Sequence, residues 1–137
     1  MEITGKKPDY LEGHAVTSKN FFLAIKNIAK KYDIFFDNPI FDKEWEEETD
    51  IIGFPFAEFD KQGLYNPKKF MNDNLPVLKN HRVGIAVFHP GYLDQYILDH
   101  SSFTLIRAME CEFLCSDWLK QWIQDNQVTL IDFRDLK

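Results

Sequence analysis

Histidines are the side chains of this sequence that could do chemistry near neutral pH, and two of the four, His14 and His89, end predicted strands. A helix is predicted after each of them. The carboxyl ends of parallel strands meet at one rim of a sheet, where ligands bind in such folds. Imidazole can bind a divalent metal or transfer a proton there. The same position also fits a histidine that only ends a strand, and His81 and His100 are predicted to be surface residues.

The elements that would position these histidines alternate along the chain. The segment VGIAVFH has no charged residue before its histidine, which is typical of a strand buried on both faces in a parallel sheet. Ser18 and Ser116 stand at expected helix N-caps, and Pro67 opens a helix. We expect strands at 9–16, 33–36, 83–89 and 128–133, helices at 20–32, 67–80, 103–114 and 117–126, and a loop at 91–101. This alternation predicts an α/β fold with a parallel sheet.

Residues 37–66 lack regular periodicity and are predicted to form a long irregular loop with the character of a lid. The acidic run EWEEETD is interpreted as a solvated face. An exposed loop seldom carries so many aromatic side chains, which are Trp45, Phe54, Phe56, Phe59 and Tyr65. They would either anchor the loop to the body of the protein or line a cleft that stacks against sugar rings.

The composition indicates one globular domain over residues 1–137, with 45% hydrophobic and 15% aromatic residues. A formal charge of −6 argues against nucleic acid or an anionic membrane as the partner. We find no apolar run of the roughly 18 residues that a membrane span needs, nor a signal peptide, and expect a cytoplasmic protein. Cys111 and Cys115 are predicted to pack on one helix face, without a disulfide or a metal.

Several motifs in sequence order resemble one known family. FHPGYLD at 88–94, SSFTLIRAMECEFL at 101–114 and LIDFRDL at 130–136 are similar to the carboxyl-terminal half of the YdjC-like carbohydrate deacetylases, the group that includes chitooligosaccharide deacetylase. The segment PDYLEGHAVTSKNFFLAIKNIAKKYDI at 8–34 resembles the middle motif of that family, a strand that ends in histidine before a helix. The resemblance covers essentially the whole chain.

The resemblance implies a partial (β/α) barrel of the glycoside hydrolase and deacetylase type, about half of the full domain. It implies removal of an acetyl group from an N-acetylated sugar of the chito-oligosaccharide type, with a divalent metal, Mg²⁺ or Zn²⁺. His14 matches one of the metal ligands, and His89 matches the catalytic histidine that donates a proton to the departing amine. Tyr92 and Arg107 would contact the substrate. Arg107 matches the R-x-x-E helix of the family together with Glu110, and a structural ion pair between the two would explain this match equally well.

The chain also departs from the family pattern, since the first half, with its aspartate and a further histidine motif, is absent. We therefore expect a carboxyl-terminal half whose metal site is incomplete and which is nearly inactive by itself. Half a barrel would leave open sheet edges and apolar faces, so a homodimer or a higher oligomer is expected. Two alternatives remain open, a non-catalytic fragment that self-associates and a sugar-binding module that uses the aromatic loop.

Overall fold

Short strands alternate with helices along most of the chain in the computed structural model, which describes residues 5–13, 18–37 and 43–136. The strands are β1 (Tyr10–Glu12), β2 (Phe35–Asp37), β3 (Ile51–Gly53) and β4 (Val83–Ile85). The helices are α1 (Lys19–Tyr32), α2 (Lys43–Thr49), α3 (Pro67–Lys79), α4 (Gln95–His100), α5 (Leu105–Leu114) and α6 (Asp117–Asp125), and a 3₁₀ helix covers Phe133–Leu136.

The strands form two parallel pairs. β1 pairs with β2, with Tyr10 opposite Phe35, and β3 pairs with β4, with Ile51 opposite Val83. A parallel pair needs a crossover connection, and helix α1 lies in the first crossover and α3 in the second. The predicted α/β class and the parallel direction of the strands are therefore confirmed.

The chain divides into two compact units, of which the first comprises Met1–Trp45 and Leu130–Lys137 and the second Glu46–Thr129. The prediction of one domain over 1–137 stays a prediction. In the first unit, α1 begins after Ser18, whose Oγ accepts a hydrogen bond from the backbone N–H of Phe21. This confirms the predicted N-cap.

The last strand predicted from the sequence is not formed. Residues 128–133 were expected to form a strand, but no strand is present there and the 3₁₀ helix begins at Phe133. The side chain of Asp132 accepts a hydrogen bond from the N–H of Arg134, 2.8 Å away. Such local bonds from aspartate to nearby backbone favour turns over extended chain.

The core of the second unit lies between α3, α5 and α6. Its buried centre consists of Met71, Phe113, Leu119 and Trp122. Trp122 also donates a hydrogen bond from Nε1 to Oδ1 of Asn72, 2.8 Å away, which joins α6 to α3. Helix α6 thus contributes Leu119 and Trp122 to this core.

The caps of the second unit follow the predicted sequence signals. Pro67 occupies the first turn of α3, and Oδ1 of Asn66 accepts a bond from Lys69 N–H at 3.0 Å. Ser116 caps α6, with its Oγ 3.2 Å from the N–H of Leu119. These local bonds satisfy backbone donors that a helix leaves without a partner in its first turn.

Two segments predicted as loops contain regular structure. Residues 37–66 include α2 and β3, so the irregular stretch is shorter than expected. Residues 91–101 include the short helix α4, which begins after Asp94, whose Oδ1 accepts a bond from Ile97 N–H at 2.8 Å. Short helices of this kind lack the long periodicity on which sequence patterns depend.

The strand predicted at 83–89 is only three residues long, and its residues are half-buried, so burial on both faces is also wrong. Its partner β3 ends at Gly53, and Phe54 N–H donates one further bond to Ile85 O, 2.9 Å away. Because β4 loses its partner there, the chain from 86 to 89 continues as irregular structure. Across the described residues, we find no helix whose length and apolar character would let it cross a membrane.

Candidate functional site

His89 lies four residues beyond β4 and lines an aromatic cleft within the second unit. Its imidazole is half-buried and lies against Phe103, with the ring centroids 4.9 Å apart and the planes at 49°. The ring of His89 therefore contributes to a cleft that lies beyond the carboxyl end of a parallel strand. Its role as a proton donor stays a prediction.

Aromatic rings form most of the cleft. They are Phe54, Phe56, Phe59, Tyr65, Phe70 and Phe103. The empty space within the cleft is about 380 Å³, part of which is open solvent at its mouth.

The aromatic residues of the predicted loop both anchor the segment and line the cleft. Phe54 is buried and anchors the segment, whereas Phe56 is 60% exposed and Phe59 is 45% exposed at the cleft. Exposed rings beside a cleft offer flat apolar faces to a ligand. The side chain of Trp45, which belonged to the same prediction, lies outside the part of the chain whose side chains are described.

Glu110 closes the inner side of the cleft and is only 2% exposed. Oε1 accepts a hydrogen bond from the hydroxyl of Tyr65 at 2.8 Å, and Oε2 accepts one from the backbone N–H of His89 at 2.5 Å. A buried carboxyl group is tolerated when such bonds replace those it made to water. The carboxyl group of Glu110 therefore joins three segments of the second unit, the aromatic loop, the His89 turn and α5.

The same contact affects the phenol of Tyr65. Burial raises the pKa of Tyr65 well above its ordinary value, and the hydrogen bond to Glu110 and the negative charge of Glu110 raise it further. Tyr65 therefore remains a neutral hydrogen-bond donor throughout the range in which the protein would work.

Ring contacts continue around the cleft from Tyr65. Its ring meets Phe59 edge to face at 5.7 Å, and Phe59 meets Phe103 edge to face at 6.2 Å. Phe103 in turn packs on the imidazole of His89. These ring contacts connect Tyr65 to His89 along one side of the cleft, and the two hydrogen bonds to Glu110 connect the same residues along the other side.

Sequence reasoning placed Glu110 in a motif but missed the bonds it makes. The signal was present, because Ile106, Glu110 and Phe113 are spaced to lie on one helix face, and all three are buried. A carboxyl group at a position where the period demands an apolar residue indicates a buried polar contact. Its partner Tyr65 is 45 residues away in sequence, which no local pattern reveals.

The ion pair between Arg107 and Glu110, which was one of the two interpretations left open, is not formed, although both residues are described. Nε of Arg107 donates a hydrogen bond to the carbonyl of Phe103 at 2.8 Å. Glu110 accepts its hydrogen bonds from Tyr65 and His89. The half-buried side chain of Arg107 packs near Gly91. Tyr92 is 92% exposed. Contact of Tyr92 or Arg107 with a substrate stays a prediction.

The predicted metal ligand His14 lies outside the described residues. Within 5–13, 18–37 and 43–136, no three histidine, cysteine, aspartate or glutamate residues come together in a way that could hold a metal ion. The described residues therefore do not by themselves fit a metal site.

The remaining candidate side chains lie away from the cleft. His81 is half-buried, with Nδ1 3.0 Å from Oδ1 of Asp50, and His100 is exposed on α4, as predicted. Cys111 and Cys115 are both free. Cys111 is half-buried, but Cys115 is exposed, so the prediction that both pack is wrong for Cys115, which lies just beyond the last residue of α5.

Comparison with known proteins identifies relatives of this chain. A model of the family described as YdjC-like protein matches residues 1–125. Carbohydrate deacetylase 2 of Listeria innocua serovar 6a is 29% identical over 142 residues, which cover 98% of this chain and 54% of the relative. A carbohydrate deacetylase of Clostridium beijerinckii is 42% identical over 128 residues, which cover 90% of this chain and 50% of the relative. The chain thus spans about half the length of these relatives.

A solved structure supports the fold. The crystal structure of a proposed cellobiose-phosphate cleavage protein from Enterococcus faecalis V583 matches 96% of this chain and 54% of its own, with a TM-score of 0.67. Because the two sequences are only 19% identical, this likeness is evidence for a shared α/β fold and not for a shared activity.

Proposed function

Because the chain belongs to the YdjC-like protein family, we propose that it serves the hydrolytic removal of acetyl groups from N-acetylated sugars. One observation carries the proposal, namely that His89 contributes its imidazole to a cleft lined mainly by aromatic rings. The relatives named carbohydrate deacetylase support the same class of reaction.

The proposed role of His89 follows from the balance of the reaction. Water adds to the acetamide carbon, the carbon–nitrogen bond breaks, and the products are acetate, the free amine and one proton released to solvent. The departing nitrogen needs a proton, since an amide anion is too basic to leave. The imidazolium of His89 would donate that proton, a contribution typically worth about 10²–10⁴ in rate.

The aromatic lining would position the sugar. Pyranose rings have apolar C–H faces that pack on aromatic rings, and Phe56 and Phe59 are exposed beside His89. We propose an N-acetylated oligosaccharide of the chito-oligosaccharide type as the substrate. Its neutral character suits a chain with a formal charge of −6.

A divalent metal, Mg²⁺ or Zn²⁺, with His14 as one ligand, is also proposed from the family resemblance. Further ligands would have to come from outside the described residues, because these hold no suitable cluster. When bound, such a metal would activate the attacking water and polarise the acetyl oxygen. The role proposed for His89 does not depend on where that metal sits.

The proposal extends to architecture. We propose that the two parallel pairs and their crossover helices belong to a (β/α) barrel that this chain builds only in part, since a full barrel takes about 200–250 residues or more. The likeness to a solved structure over half of its length is consistent with this.

A hybrid chain tests the proposed activity. In it, residues 1–137 replace the matching half of the Clostridium beijerinckii carbohydrate deacetylase, to which they are 42% identical. We expect acetate release from N-acetylated chito-oligosaccharides, a fall of about 10²-fold or more in His89→Ala, and little change in the control His100→Ala, whose side chain is exposed on α4. A hybrid that folds but releases no acetate, or in which both variants behave alike, would contradict the proposal.

Sugar binding without turnover is the second candidate, favoured by the exposed faces of Phe56 and Phe59. In that case calorimetry would detect binding of chito-oligosaccharides to the 137-residue chain, weakened in Phe56→Ala, while the folded hybrid would release no acetate. Binding together with acetate release that depends on His89 would exclude this candidate.

A further inference from the structure

Helix α5 holds the turn that carries His89 through two hydrogen bonds. The backbone N–H of His89 donates to the carboxyl group of Glu110, and the N–H of Gly91 donates to the carbonyl of Arg107 at 3.3 Å. The two acceptors are three residues apart and therefore lie on one side of the helix, one turn from each other. Pro90, between the two donors, has no N–H. Every backbone N–H of this tripeptide is thus bonded to α5.

Of the two acceptors, only the one from Glu110 depends on a side chain. The carbonyl of Arg107 is present whatever residue stands there, whereas the bond to His89 requires a long side chain with an acceptor at position 110. The position of Glu110 in the core, at 2% exposure, leaves its carboxyl group little freedom to move. The place of His89 is thereby fixed by one buried side chain.

The second oxygen of Glu110 extends this contact to the other side of the cleft. It accepts the bond from Tyr65, which precedes the N-cap of α3 and packs on Phe59. The wall of the cleft that would meet the sugar and the histidine that would donate the proton are therefore bonded to the same carboxyl group.

We propose that Glu110 is a positioning residue, which holds His89 at the cleft through the His89 backbone N–H and couples it through Tyr65 to the aromatic wall. Its consequence for catalysis rests on the proposed function, but the positioning itself is a property of this chain and is tested without activity.

The chemistry of the side chain predicts which substitution at position 110 preserves the hydrogen bonds to His89 and Tyr65. Glutamine at position 110 can accept the bond from His89 N–H with its oxygen and donate from its amide nitrogen to the oxygen of Tyr65, because a phenol both donates and accepts. Leucine has similar volume and can do neither. Glu110→Gln should therefore retain the contact and Glu110→Leu should lose it.

Amide NMR on the ¹⁵N-labelled 137-residue chain provides the test. In Glu110→Leu we expect the His89 amide to exchange with solvent about tenfold faster or more, as loss of a hydrogen bond to a carboxyl group allows, and the nuclear Overhauser effect between the His89 and Phe103 rings to weaken. Glu110→Gln should keep both, with the His89 amide proton moved upfield because its acceptor is neutral. Glu112→Leu, which removes an exposed carboxyl group from the same helix, should change neither. Unaltered exchange and ring contact in folded Glu110→Leu would overturn the inference.

If Glu110→Leu does not fold, Glu110→Gln decides, because an unshifted His89 amide would show that Glu110 does not bind it. In the hybrid chain, Glu110→Leu should lower kcat and leave KM nearly unchanged, and Glu110→Gln should recover most of kcat. A hybrid without activity would contradict the proposed function only, since the NMR results on the 137-residue chain stand apart from it. If the unmodified hybrid, Glu110→Leu and Glu110→Gln have equal kcat while His89→Ala is inactive, the hydrogen bond from His89 to Glu110 has no catalytic consequence.

Discussion

Tyr65 and Glu110 show how a single hydrogen bond can be measured in this protein. Tyr65→Phe leaves Oε1 of Glu110 without its donor in a buried position. Loss of one partner from a buried polar pair costs about 1–3 kcal/mol, and we expect the lower end because Tyr65 is only half-buried. Urea unfolding of the two chains at pH 7 measures this difference, and equal stabilities would contradict the bond.

The raised pKa of Tyr65 makes a second prediction, about alkaline pH. The folded chain keeps the phenol proton at pH values where the unfolded chain loses it, above the ordinary pKa of 10.0. The contribution of Tyr65 to stability is therefore complete below that pH and declines as the pH rises toward the raised folded pKa. We expect the stability difference between the original chain and Tyr65→Phe to shrink between pH 9 and about pH 11. If urea unfolding gives the same stability difference between the two chains at every pH in this range, the prediction is wrong.

At the scale of single residues, the sequence was informative where one residue type has few roles. A histidine before Pro90-Gly91 at the end of a strand pattern made His89 a candidate, and its ring lines the cleft. The function of Glu110 could not be read in the same way. Its bonds reach Tyr65 and the backbone of His89, 45 and 21 residues away, and depend on how three segments pack.

Strand β4 passes so close to its neighbours that a side chain at position 84 would force them to shift. A Cβ atom on Gly84 would lie 2.7 Å from Cε1 of Phe54 and 2.8 Å from Cδ1 of Leu78. Since Phe54 is buried, Gly84→Ala should destabilise the chain by about 1–3 kcal/mol, the usual range for overpacking. Gly91→Ala is the control, because its nearest atom would be 3.7 Å away and the change should stay within about 0.5 kcal/mol. Thermal or urea unfolding in which the two variants behave alike would contradict this packing.

Helix α6 depends on its cap. Ser116 accepts a bond from Leu119 N–H and donates one to the carbonyl of Phe113 at 2.6 Å. Ser116→Ala should therefore reduce stability by about 0.5–2 kcal/mol. The exposed Ser102 is the matched control, and a fall as large in Ser102→Ala would argue against a specific effect of the cap.

The elements that the sequence predicted well are those with local signals. Helices α1, α3 and α6 begin at or just after Ser18, Pro67 and Ser116 because their caps are formed by neighbouring residues. The strand expected at 128–133 failed because Asp132 bonds to adjacent backbone instead. The lengths of the strands were overestimated. Strand β4 ends where its partner β3 ends, and the composition of the sequence does not reveal that point.

The assembly of the whole molecule stays a prediction. Each described sheet has two strands, so each strand has one edge that no described strand pairs, and large apolar side chains such as Tyr96, Leu98 and Leu105 are exposed. Both features favour association. We expect light scattering of the 137-residue chain at micromolar concentration to give the mass of a homodimer or a larger oligomer. A single sharp monomer peak would contradict this.

At the scale of the molecule, the sequence predicted the parallel α/β architecture because alternating strands and helices leave few other solutions. The division into two compact units was not foreseen, since it depends on how segments distant in sequence meet. The first unit joins residues from both ends of the chain, and no local composition marks such a boundary.

The central claim is that His89 donates a proton to the departing amine, and the leaving group of the substrate tests it most directly. The hybrid chain and its His89→Ala variant are assayed on an N-acetylated chito-oligosaccharide and on 4-nitrophenyl acetate, whose phenolate departs without a proton. We expect His89→Ala to lower kcat/KM by about 10²–10⁴ on the amide and by much less on the ester. An equal loss on both substrates would contradict the claim, because His89 would then act in a step that does not involve the leaving group.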